Sequence, residues 1–304
     1  MTWLLFVDEP SDQQRSYPYG VLSGIAVEDL QVWPLARRLR DAQDLFFGRQ
    51  LIDPEGRYAA CSHLLDSKVY ESAALHLDLD RQEILRRADR PASSTRFSNS
   101  EVSAALSQAK IAYCDHALAL ARDFGAQALA MFLPADCIPT QVDGKLRKDY
   151  GYLLERFYHL LEGTPNAGTG LIVLPRQPRA RTYVSADHIV DYFSKTTNGR
   201  LRAQRIIPDP VYAAGALAVV SHLAELCSYV ASWSVRLPSM SEPRRPEMGP
   251  LASRCSALRF SYVATNGMKD WSFKFIGDLS ARPAVAGARR PTTGPLVEQD
   301  RPSG

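Results

Sequence analysis

Apolar positions along this chain follow two periods. Residues 3–7 (Trp3, Leu4, Leu5, Phe6, Val7) are an unbroken apolar run that stops at Asp8, Glu9 and Pro10. A short aromatic and branched run ended by proline predicts a buried strand. Residues 17–27 predict a second strand, made a hairpin with the first by the turn over residues 10–16. Residues 30–47 predict a helix with apolar positions at Leu35, Leu39, Leu45 and Phe46, and Gly48 as its cap. Residues 57–76 fit either a short strand or a short helix, and residues 86–98 read as an exposed loop.

Ser98-Asn99-Ser100-Glu101 is a capping-box pattern and predicts a long helix to Phe124, with Val102, Leu106, Ile111, Leu118 and Leu120 on its apolar side. A strand over 128–133 stops at Pro134. Tyr150, Leu153, Leu154, Phe157, Leu160 and Leu161 give a second strong helix over 146–162. A fully apolar strand over 170–174 meets Pro175. A helix over 184–195, a short strand over 202–207 and the most apolar helix, over 213–233, complete the alternation. Strands alternating with helices predict an α/β fold, a mixed sheet with helices on its faces. After a polar linker over 239–249, residues 258–262 and 271–275 alternate around Asn266-Gly267 and predict a C-terminal β-hairpin. From residue 281 the composition predicts a disordered tail. The expected division is 1–238 for the main domain, 239–280 for linker and hairpin, and 281–304 for the tail.

Composition narrows the class. The 304 residues are 45% hydrophobic, enough for one large core, and the net charge of +3 neither demands nor excludes a nucleic-acid partner. Five cysteines, none in a Cys-x-x-Cys pair, argue for reduced thiols and a cytoplasmic setting. The start carries no secretory pattern. His222 and Glu225 interrupt the apolar 213–233 stretch, which argues against a membrane partner.

Carboxylates at the end of a buried strand usually hold a metal or move protons, although Asp8 and Glu9 also fit an ordinary exposed turn before Pro10. Val7-Asp8-Glu9-Pro10-Ser11-Asp12 followed by residues 19–27 resembles the opening of the domain of unknown function 3800 family, with its Asp-Glu-Ser-Gly-Asp and Leu-x-Gly strand. Residues 146–157, residues 199–210, His222-Leu223-Ala224-Glu225-Leu226 and residues 271–279 resemble further blocks of that family, in the same order. The resemblance covers about residues 3 to 280 as an ordered set of modest motifs.

It implies a ribonuclease H-like fold, in which acids from separate elements meet at one sheet edge, hold Mg²⁺ or Mn²⁺ and hydrolyse a phosphodiester. On the resemblance, Asp8, Glu9 and Glu225 are catalytic and metal-binding, with Glu225 standing where the family has Asp, and Asp12 is a further ligand. Pro175-Arg176 replaces an expected Asp-Glu, and a cation there repels a metal. Tyr58-Ala59-Ala60 replaces a Glu-Leu-Lys, with Glu55 the nearby acid that could substitute. His222 and Glu225, one helical turn apart, could serve a transition metal, but His222 reads better as a satisfied core residue, and Glu225 fits equally as the partner of an arginine or of His222. Arg176, Arg179, Arg200 and Arg202 suit phosphate contacts from DNA or RNA, or a solvated basic surface. Trp233 and Trp271 read as packing residues. The expectation is a ribonuclease H-like protein with an impaired active site that binds nucleic acid or a protein partner. The alternative is an active Mg- or Mn-dependent nuclease.

Overall fold

A computed structural model of the chain describes residues 1–9, 17–51, 60–88, 98–134, 146–166, 168–175, 184–263 and 267–277. In order, the elements are β1 (Thr2–Asp8), β2 (Tyr19–Glu28), α1 (Asp29–Phe47), α2 (Cys61–Leu65), α3 (Ser67–Ala73), α4 (Arg81–Ala88), α5 (Asn99–Asp123), β3 (Gln127–Pro134), α6 (Lys148–Gly163), β4 (Thr169–Pro175), α7 (Ala186–Lys195), α8 (Thr197–Arg202), β5 (Val211–Ala213), α9 (Ala218–Ser234), α10 (Gly249–Ala257), β6 (Ser261–Val263), β7 (Lys269–Trp271) and β8 (Phe273–Phe275). The fold is mixed α/β. Six strands form one sheet in the order β5-β4-β1-β2-β3-β8, flanked by helices.

β1 lies inside this sheet, parallel to β4 and antiparallel to β2, with Asp8 opposite Ser23. Its side chains alternate between two cores, as the two-residue period of a strand requires. Trp3, Leu5 and Val7 join Tyr150, Leu153, Leu154 and Phe157 of α6. Phe6 joins residues of α1, α5 and α9 on the other face. Gly170 of β4 is needed for the first of these layers, because a Cβ there would lie 2.5 Å from the Phe157 ring. Three hydroxyls tie α9 to β2. Ser23 donates to the Ala224 carbonyl at 2.9 Å, Ser228 to the Val21 carbonyl at 3.1 Å, and Ser232 to that of Tyr19.

Several expectations are corrected. The undecided 57–76 stretch holds the helices α2 and α3, and α4 occupies part of the expected 86–98 loop. No strand forms over 202–207. Ile206 makes one isolated bridge to Gly170, and the strand is β5, just before the expected last long helix and overlapping it only at Ala213. α10 follows directly on the expected linker. The C-terminal hairpin pairs β6 with β7, but residues 271–275 break at Ser272 and β8 joins the main sheet beside β3. Leu45 and Leu106 are exposed, not core residues. The expected tail over 281–304, and the turns over 10–16 and at Asn266, lie outside the described residues. Among the described residues, no helix is long and apolar enough to cross a membrane.

Candidate functional site

The strand period that separates the two cores also separates the opening acids. Glu9, one residue past β1, enters the α6 face and is buried. The Tyr150 phenol donates to its Oε1 at 2.6 Å and the Val184 amide at 3.3 Å, while Arg147 Nη1 lies 3.8 Å away. Glu9 Oε2 is buried with no hydrogen-bond partner among the described residues. Arg147 is itself clamped by Asp149 through two bonds, Nη2 to Oδ2 at 2.7 Å and Nε to Oδ1 at 3.1 Å. Burial raises the Glu9 carboxyl above its ordinary range, against the pull of Arg147 and Tyr150. Burial also works against the Arg147 charge, but Asp149 and Glu9 outweigh it and hold the guanidinium protonated. This buried ion cluster, with one Glu9 oxygen left without a partner among the described residues, ties α6 to the end of β1.

Asp8 takes the opposite, α9 face. It lies near Cys227 of α9, whose thiol is pushed up by a hydrogen bond with Cys255, by burial, and by the neighbouring Cys61 and Asp8. On this face α9 meets α2. The Cys61 amide, which at the start of a helix has no acceptor within that helix, donates to Glu225 Oε1 at 3.0 Å. Cys61 Sγ is 3.3 Å from His222 Nε2. The far end of α2 is held as well, by Tyr229 and Arg245, which donate to the Leu65 carbonyl at 3.3 and 2.8 Å. Ligand-type atoms of Cys61, His222 and Glu225 all lie within 4.8 Å of one another.

The expected site residues therefore divide. Asp8 and Glu225 share the α9 face, and Glu9 does not join them. Asp12, Glu55, Arg176 and Arg179 lie outside the described residues. Among the described residues, the arginine beside Glu9 is Arg147. Arg202 is engaged internally, donating to the Gly151 carbonyl at 3.1 Å and to the Tyr192 hydroxyl and pairing with Glu155 at 3.2 Å. Arg200 donates to the Ser194 carbonyl at 3.2 Å from an exposed position. His222 is buried as expected, but beside a thiol that sequence spacing could not bring to it.

A second feature lies on the β6–β7 hairpin, whose two faces alternate in the manner of β1. Tyr262 and Asp270 face α6, where Arg156 Nη2 pairs with Asp270 at 2.7 Å and the His159 ring stacks on Tyr262 at 4.4 Å. Ser261, Val263, Lys269 and Trp271 form the outer face, and all are exposed. Trp271 is 42% exposed, not a packing residue, and carries two cations on its ring, Lys269 at 4.8 Å and Arg259 at 5.3 Å. Comparison of the chain with protein-family models, curated proteins and solved structures returns no match.

Proposed function

We propose that this chain is a ribonuclease H-like protein of the domain of unknown function 3800 type that binds single-stranded nucleic acid and does not cut it. The ribonuclease H-like reading is supported by a central strand of a mixed sheet that ends in acids, with the Glu225 helix packed against it. Two-metal hydrolysis needs several carboxylates on one pair of ions, and this chain directs Glu9 away from Asp8 and Glu225 into a cluster with Arg147 and Tyr150.

The observation that carries the binding half is the exposed Trp271 ring with Lys269 and Arg259 upon it. An aromatic face supplies base stacking and nearby cations supply phosphate contacts, the combination by which single strands are held without sequence preference. The test is a titration of labelled single-stranded DNA and RNA with wild-type protein and Trp271→Ala at low and moderate salt. Salt-dependent binding that weakens in the variant supports the reading; equal binding by both removes the hairpin from it, and no binding at low salt removes nucleic acid. The second reading, Mg- or Mn-dependent cutting, keeps one favourable feature, the shared face of Asp8 and Glu225.

A further inference from the structure

Glu225 stands where a hard-cation acid is expected, yet the side chains that converge on it are a thiol and an imidazole. We propose that Cys61, His222 and Glu225 form a site for one borderline divalent cation of the Zn²⁺ class, joining α2 to α9. The inference does not depend on nucleic-acid binding or on the family resemblance.

Three observations carry it. The donor atoms converge, with Cys61 Sγ, His222 Nε2 and a Glu225 oxygen mutually within 4.8 Å. Two ligands of a tetrahedral zinc, one sulfur and one nitrogen, stand about 3.5 Å apart given ordinary bond lengths. The Cys61 Sγ to His222 Nε2 separation is 3.3 Å, so an ion needs only small side-chain adjustments to sit between them.

The donors also differ in kind. A sulfur, an imidazole nitrogen and a carboxylate select zinc or its neighbours, whereas Mg²⁺ and Ca²⁺ want oxygen alone. The scaffold is rigid. His222 and Glu225 project from one face of α9, and α2 is held at Cys61 by Glu225 and at Leu65 by Tyr229 and Arg245. Cys61 is fully buried, which suits a ligand better than a nucleophile, while Glu225 is half-buried and gives the ion a way in. Three protein ligands leave a fourth position for water. On binding, the Cys61 thiol proton passes to solvent and the thiolate, neutral imidazole and carboxylate leave a net charge of zero around the ion.

The test is titration of the chelator-treated, reduced full chain with Co²⁺ and then Zn²⁺. The expected result is one Co²⁺ per chain with a thiolate-to-cobalt charge-transfer band, displaced by Zn²⁺ and not by excess Mg²⁺. The band disappears in Cys61→Ser, weakens at least tenfold in affinity in Glu225→Ala, and persists in Cys114→Ala, a buried thiol on α5. If Cys61→Ser does not fold, the wild-type spectrum and Glu225→Ala decide. A wild-type chain without the band, or a band unchanged in Cys61→Ser or Glu225→Ala, overturns the proposal.

Discussion

Tyr150 donates its phenolic hydrogen to Glu9 Oε1 over 2.6 Å, and the acceptor is the second of the two acids in which the chain's first strand ends. The contact joins the start of α6 to the end of β1, and Arg147 and Asp149 complete the cluster around it. Arg147→Met leaves Asp149 and Glu9 buried without their cation, and a broken buried pair costs about 3–5 kcal/mol. Tyr150→Phe removes one bond to a buried carboxylate and costs about 1–3 kcal/mol. Urea unfolding of both variants checks the order, with Arg147→Met the more damaging.

The same cluster fixes a pH dependence. Burial holds the Glu9 carboxyl above its ordinary 4.5, so the folded chain keeps a proton that the unfolded chain releases. The stability from this group is fully present below the unfolded value and is lost as pH rises through the folded one. Unfolding measured from about pH 4 to about pH 8 should show wild type losing stability relative to Glu9→Gln as the pH rises. Parallel stability curves for the two proteins would contradict the burial argument.

Gly170 sets the closeness of β4 to α6. A methyl group there meets the Phe157 ring at 2.5 Å and Leu161 Cδ1 at 2.8 Å, and neither can swing clear of a filled core. Gly170→Ala should destabilise by about 1–3 kcal/mol, the usual cost of overpacking. A thermal melt with unchanged midpoint would show that the layer yields more easily than its packing implies.

On the hairpin, stability and binding should separate. Trp271 and Lys269 are exposed, so Trp271→Ala and Lys269→Ala leave unfolding within about 0.5–1 kcal/mol of wild type. Loss of a stacked base costs about 1–3 kcal/mol of binding, roughly tenfold or more in affinity. Loss of one phosphate contact lowers the salt slope for a single strand by about 0.7. Calorimetric melts beside oligonucleotide titrations at several salt concentrations measure both quantities.

A cation held only by the folded chain adds to its stability by mass action. Zn²⁺ at about a hundred times its dissociation constant should add about 2.7 kcal/mol. Chelator should reverse the gain, and Cys61→Ser should show none of it.

The main-sheet strands were legible where apolar runs met prolines. β3 and β4 end on Pro134 and Pro175, β1 ends two positions before Pro10 in the sequence, and the Ser98–Glu101 capping box marks the start of α5 in the structure as in the sequence. Short or composite elements were not. β5 has three residues, and β8 pairs with β3, which no local pattern encodes. The site was half legible. Asp8 and Glu9 stood out as a pair, but the two-residue strand period that marks β1 also sends them to opposite faces, a consequence available before any coordinates. Arg147 and Tyr150 lay in a recognisable helix start with nothing local to tie them to Glu9. Cys61 is 161 residues from His222, and no spacing rule joins them.

The most direct test is to incubate purified protein and Asp8→Asn with single-stranded DNA and RNA in Mn²⁺ and to follow binding and chain length together. Both proteins should retard the strands in a salt-dependent way and leave them full length. Cutting by wild type that vanishes in Asp8→Asn would contradict the account and restore the opening acids as a catalytic centre.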